Sequence, residues 1–407
     1  MASLIPPKRV CKPTNGPTPE ARAAAFGGDL KAMDEPQIMS RLINWALTDL
    51  MLEHPEIALM GEDVGRKGGV YGVTQKLIQR FGPDRMIDTL LDEQSILGLA
   101  IGMAQNGFVP LPEIQFLAYL HNAEDQIRGE AATLPFFSNG QYTNPMVVRI
   151  AGLGYQKGFG GHFHNDDSLA VLRDIPGLIL AVPSRGDDAV KMMRTLTAAA
   201  KVDGRVCVIV EPIALYHTRD LHPGDGAWMF PLPPQGEAID IGEVGVYSPE
   251  ARDLVIFSYG NGVPMSLRVA KKIAAEHGVH ATVIDLRWLA PLPAEAIETY
   301  AREAASILVV DECRRSGNVG EAIAALMAEN PALRTKPFAR VTSADSFIPL
   351  ADAANLVQTI QQVIHDITKI QNQVQQIVQL QQQLASINGI RGLGTILNNP
   401  LLQGAIP

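Results

Sequence analysis

From about residue 38 to residue 212, nearly unbroken apolar runs alternate with stretches of helical periodicity, and this constrains the fold most. "EIALMGEDV", "LPEIQF", "NPMVVRIAG", "LILAVPS" and "VCVIVEP" read as short strands, and "MIDTLL" as an edge-like one. "SRLINWALTDLMLEH", "VTQKLIQRF", "ILGLAIGMAQNG", "AYLHNAEDQIRGEAATL" and "GDDAVKMMRTLTAAAK" have helical spacing. A strand with no polar face must be covered on both sides. Strand–helix alternation with short links therefore predicts an α/β domain with a parallel sheet.

A second, smaller parallel-sheet domain is expected over 253–356, from "DLVIFSYG", "VPMSLRVAKKIAAEHG", "ATVIDLRWLAP", "PAEAIETYAREA", "SILVVDE", "VGEAIAALMAEN" and "FARVTSAD". Residues 213–252 are rich in Pro and Gly and read as an interdomain linker. Residues 1–37 read as a loose arm. Residues 357–407 are crowded with glutamine, and Ile360, Val363, Ile367, Ile370, Val374, Ile377, Leu384 and Ile387 recur at spacings of three and four. That row of roughly four heptads predicts a coiled coil or bundle helix.

The net charge of −9 gives no bulk support to nucleic-acid binding. No apolar run approaches the roughly 20 residues a membrane helix needs, and the N-terminus has no secretory core after its first charges. Cys11, Cys207 and Cys313 are far apart, a pattern that suits free thiols in a reducing compartment. A cytoplasmic protein is expected.

Few motifs point to chemistry. Gly224-Asp225-Gly226 looks like a diphosphate–magnesium signature but has no later asparagine and lies in the linker, so a turn is expected and no metal ligand is assigned. The glycines of "GLGYQKGFGG" are spaced GxGxxxG and lead into "HFHND" rather than a helix, which disfavours a dinucleotide site. They suit a loop lying close to a ligand or another backbone. His162 and His164 follow, either as loop histidines bonded to backbone or as a general acid/base. Asp92 and Glu93 adjoin at the entrance of an apolar helix, where a carboxyl is either a cap or a chemical group. Loss of hydration there favours a carboxyl that shares its proton.

The blocks "MGEDVGRKGGVYGVTQKLIQRFG", "RMIDTLLDEQSILGLAIGMAQNG", "PEIQFLAYLHNAEDQIRGEAA" and "HNDDSLAVLRDIPGL" resemble, in order, the beta subunit of thiamine-diphosphate-dependent 2-oxo acid dehydrogenases. This is the decarboxylating component of the pyruvate and branched-chain type, within the transketolase superfamily. The resemblance covers roughly 38–356. It implies a pyrimidine-binding domain over 38–212 and a transketolase C-terminal-type domain over 253–356. It places on Glu93 the glutamate that bonds the pyrimidine ring nitrogen of thiamine diphosphate and promotes ionisation of the thiazolium carbon. Asp92 is then the local cap.

The aromatic that packs on the pyrimidine matches Tyr119, six residues before Asp125; a tyrosine there also suits a core. The loop histidine implicated in proton transfer and acyl transfer to lipoamide falls on His164, twelve residues before Pro176, with His162 second. The family commonly reads "HSQS" at that loop, and this chain has "HNDD". The diphosphate and magnesium belong to an alpha subunit. The implied assembly is an α2β2 heterotetramer acting on a 2-oxo acid and serving a lipoyl acyltransferase core, inactive without alpha. Transketolase-like or acetoin-cleaving chemistry is the alternative. The tail resembles minor pilin-like proteins of type IV secretion. These are exported, so a junction of unrelated segments near 355–358 competes with an oligomerising tail that would make the chain an assembly protein.

Overall fold

The computed structural model describes residues 16–154 and 164–343. Its first element stands where a loose arm is expected. Helix α1 (Pro19–Phe26) opens on Thr18, whose hydroxyl accepts the Ala21 amide at 3.2 Å, with proline at the first helical position. A cap and a preset φ suffice to start a short helix. Phe26 is buried and Arg22 pairs with Asp49 at 2.9 Å, so this part of the arm is packed.

Next come α2 (Met39–Glu53), β1 (Ile57–Gly61), α3 (Leu77–Phe81), β2 (Met86–Asp88), α4 (Glu93–Gln105), β3 (Val109–Ile114), α5 (Leu134–Phe137), β4 (Met146–Gly152), α6 (Ala170–Arg173), β5 (Ile179–Ala181), α7 (Gly186–Asp203) and β6 (Val206–Pro212). The second half supplies β7 (Gly245–Tyr247), β8 (Leu254–Ser258), α8 (Gly262–His277), β9 (Ala281–Asp285), β10 (Trp288–Ala290), α9 (Ala294–Glu303), β11 (Ser306–Arg314), α10 (Val319–Glu329) and β12 (Phe338–Ser343).

These strands form two sheets, ordered β10-β5-β6-β4-β3-β1-β2 and β12-β11-β8-β9-β7. Strands β1 to β6 run parallel, as do β8, β9, β11 and β12. Every residue of β1, β3, β4 and β6 is buried. Alternate residues serve different cores: Ile57 and Leu59 face α2 and α7, while Ala58 and Met60 face α4. Covering both faces is what such uninterrupted apolar strands require. Each fully buried Leu or Ile contributes on the order of 1.5–3 kcal/mol relative to exposure.

The two expected parallel sheets are present, and each also carries an antiparallel edge strand: β10 pairs with β5, and β7 with β9. Three other expectations need correction. Strand β7 lies inside the expected linker. "ATVIDLRWLAP" is not one strand but two, in different sheets, separated at Arg287, whose φ of 58° turns the chain. The long helix expected from "AYLHNAEDQIRGEAATL" is a 3₁₀ turn (Leu117–Asn122), a π-helical turn (Gln126–Ala131) and α5. Helical spacing in sequence does not distinguish these from an α-helix, and such turns cluster at functional sites. The Gln-rich helix falls on 357–407, outside the described residues.

Where the two sheets meet, Arg287 pairs with Asp188 at 2.8 Å and the Ser184 hydroxyl donates to Asp285. Burial, only partly offset by Arg287, pushes Asp285 up to about 7. An unfolded aspartate titrates near ~4. The folded state therefore holds this proton more tightly. Its contribution is complete below pH ~4 and is lost as pH rises towards ~7, at up to ~1.4 kcal/mol per pH unit. The unfolding midpoint is expected to fall between pH 5 and 7, and to fall less in Asp285→Asn. An unchanged slope in the variant would refute the assignment. Asp49 and Glu113 are raised by burial too and act in the same direction, so some slope remains.

Candidate active site

The candidate residues collect at the carboxyl ends of β1 to β4, the edge where open α/β sheets bind ligands. Glu62 follows β1, Thr89 follows β2, Phe116 and Tyr119 follow β3, and His164 lies on the segment after β4. Glu93 is the first residue of α4. Its backbone start is set by Asp92 at φ −157°, ψ 95°, an extended cap residue whose carbonyl accepts the Ile96 amide at 3.0 Å. The Asp92 carboxylate does not cap a backbone amide as expected; it takes the Ser95 hydroxyl instead. Glu93 is 6% exposed, and its Oε2 accepts from Asn122 Nδ2 at 3.2 Å. A carboxylate in the first helical turn is favoured by the helix dipole, which offsets part of its burial.

His164 is held by two aromatic rings. Tyr119 Oη lies 3.0 Å from His164 Nε2, and Phe116 meets the imidazole edge-on at 4.6 Å. Tyr119 and Phe116 also contact each other edge-on at 5.4 Å. Burial, with the charges of Glu62 and Glu93, pushes the Tyr119 phenol up. Thus Glu93, Tyr119 and His164 come together at the carboxyl end of the first sheet. His162 lies outside the described residues.

Three participants were not singled out from sequence: Glu62, Asn122 and Phe116. The signal for Glu62 is its place one residue beyond the strand end in "IALMGE". Burial, then Asp63 and Glu93, raise the Glu62 carboxyl, and its Oε2 is buried without a hydrogen-bond partner. Thr89 Oγ1 is similarly buried without a partner. Native proteins satisfy most buried polar atoms, so such orphans suggest a ligand. A buried carboxyl close to a second carboxyl that has an unsatisfied oxygen suits a heteroaromatic ring with an amino donor and ring nitrogens, so the residues fit an aminopyrimidine. Gly224-Asp225-Gly226 sits apart, in a turn whose Asp225 carboxylate takes the amides of Leu221, His222 and Ala227. Among the described residues no group of three or more His, Cys, Asp or Glu side chains is placed to hold a metal ion, and no helix is long and apolar enough to cross a membrane.

The two α/β domains are of the transketolase type. Residues 36–218 match the transketolase pyrimidine-binding domain and 242–363 the transketolase C-terminal domain. The pyruvate dehydrogenase E1 component subunit beta of Staphylococcus epidermidis is 32% identical over 324 residues, 78% of this chain and 93% of that protein. The Staphylococcus aureus protein of the same name is 33% identical with the same coverage. A split-gene transketolase, described as an inactive beta4 tetramer, shares the fold with a TM-score of 0.60 at 20% identity, covering 79% of this chain and 93% of that one. The chain belongs to the beta-subunit family of thiamine-diphosphate-dependent 2-oxo acid dehydrogenases. Residues 348–407 match type IV secretion system proteins and lie outside the described residues.

Proposed function

We propose that this chain is the beta subunit of a 2-oxo acid dehydrogenase decarboxylating component and supplies half of a thiamine-diphosphate site. The observation that carries the reading is Glu93: a 6%-exposed carboxyl at the entrance of α4, whose charge reaches Glu62, a carboxyl with a buried oxygen that lacks a partner. Bound thiamine diphosphate would supply an ionisable thiazolium carbon as the nucleophile for a 2-oxo acid. Glu93 holds a proton at the pyrimidine ring nitrogen. Glu62, whose carboxyl is raised by burial, binds the exocyclic amino group. Tyr119 packs on the pyrimidine and fixes the His164 ring, and His164 moves protons at the reacting end.

The other half of the site, with diphosphate and magnesium, belongs to an alpha subunit in an α2β2 assembly. The surface around Glu93 supports this. Added Cβ atoms at Gly98 and Gly102 of α4 would meet nothing within 4 Å. Leu99 is 42% exposed, and Leu90 and Leu91, just before the helix, are 84% and 65% exposed. Small and apolar residues beside a catalytic carboxyl suit close packing by a second subunit that would also exclude water. The acyl product passes to a lipoyl domain of an acyltransferase core, in the cytoplasm.

Co-expression with the candidate alpha partner, followed by thiamine-diphosphate-dependent dye reduction over a panel of 2-oxo acids, tests the reading. Turnover of one acid that disappears without alpha is the expected result. A stable, cofactor-loaded complex that transfers ketol groups and reduces dye with no acid would replace it by the transketolase-like alternative.

A further inference from the structure

The chain on either side of residues 155–163 is held by the second domain. Before it, Asn261 donates to the Leu153 carbonyl at 2.7 Å, and Leu153 has a φ of 53°, a conformation leucine rarely adopts. After it, Arg314 at the end of β11 donates to Asp166 Oδ1 at 3.1 Å, and the Cys313 thiol donates to the Asp167 carbonyl. Asp166 Oδ1 also takes the Ser168 amide at 2.9 Å, and its Oδ2 lies 3.9 Å from His121 Nε2.

Asp167 is the unusual member. It is 2% exposed, and neither of its carboxyl oxygens has a hydrogen-bond partner. The charges that face it are Glu312, Asp166 and Asp311, opposed by Arg314. Asp311 already takes the Tyr259 hydroxyl at 2.6 Å and the amides of Cys313 and Gly320. Burial, then Glu312 and Asp166, push the Asp167 carboxyl well up. A buried carboxylate among like charges is not tolerated unless paired or neutralised. With no hydrogen-bond partner on either oxygen, a bound proton is the simplest way to remove that charge.

We propose that the His164 loop is positioned by a proton-dependent clasp on the second domain: Arg314 holds Asp166, and Asp167 seats only with its acid proton in place beside Glu312 and Asp311. Asp166 and Asp167 are positioning residues, three residues or fewer from His164, and the proposal rests on the reading above only for the role of His164. A released loop gives up the proton in the ordinary carboxyl range near pH ~4. Above that, the ratio of seated to released loop falls up to about tenfold per pH unit until the seated carboxyl ionises.

The test is hydrogen exchange of the peptide spanning 164–173 in the full-length protein at a series of pH values, corrected for intrinsic chemical rates. Protection is expected to fall about tenfold per pH unit as pH rises. In Asp167→Asn, and in Asp167→Ser as a second variant, protection should no longer depend on pH. Arg314→Gln should lower protection at every pH. Wild-type protection that is flat with pH, or a slope retained in Asp167→Asn, overturns the proposal. In the assembled enzyme, Asp167→Asn should carry kcat to higher pH with KM unchanged. An assembly that turns over no 2-oxo acid would remove the functional reading and leave the exchange result standing.

Discussion

Glu93→Gln is expected to lower turnover of the assembled enzyme by about 10²–10⁴-fold while leaving the unfolding midpoint unchanged. The substitution keeps an amide oxygen that can accept from Asn122, as Glu93 does at 3.2 Å. It also keeps the side-chain volume at a buried helix entrance. What it removes is a group able to hold a proton at a ring nitrogen. Measuring kcat, cofactor binding and unfolding on the same preparation separates these effects. Turnover within a few-fold of wild type would exclude Glu93 as the activating carboxyl. A large loss of stability would instead make it a structural cap.

Arg149→Met should unfold the protein far more readily, by about 3–5 kcal/mol, the usual cost of removing one partner from a buried ionic cluster. Arg149 sits in β4 between Glu113 of β3 and Glu211 of β6, at 2.6 and 2.7 Å. The Tyr216 hydroxyl gives Glu211 a further bond of 2.7 Å. The three charged groups lie on neighbouring strands of the first sheet, and all four side chains are buried. Burial already pushes Glu113 up against the pull of Arg149, with Glu211 adding to the rise. Without the guanidinium, two carboxyls face each other with no cation. The loss should be greater at pH 8 than at pH 5, where they can take up protons. Adding Glu113→Gln and Glu211→Gln to the variant should recover part of it, because neutral replacements remove the uncompensated charges. Denaturant unfolding at both pH values checks this. A loss independent of pH would point to cavity formation rather than charge.

Much of the fold was legible because the inner strands β1, β3, β4 and β6 of the first sheet are buried on both faces. Ile57 and Leu59 serve one core and Ala58 and Met60 the other, so "IALMG" could only be an inner parallel strand. Glu93 was legible because a carboxyl at the start of an apolar helix conflicts with its surroundings, and Tyr119 and His164 through their family blocks. Glu62 was not, since "GEDV" after a strand reads equally as a turn. The 3₁₀ and π turns over 117–131 were missed because side-chain spacing does not report which carbonyl each amide chooses.

By itself, then, the sequence determined the strand–helix alternation, the two-sided cores and the carboxyl at the head of α4, all of which follow from periodicity within one element. Tertiary structure alone decided that Trp288–Ala290 leaves its neighbours to pair with β5, that β7 closes the second sheet, that Glu62 comes close to Glu93, and that Asp167 lies against Glu312 and Asp311. Periodicity reports on neighbours along one element. Sheet edges and buried charges answer to partners brought close only when distant segments pack, and there burial sets which groups must pair, protonate or wait for a ligand.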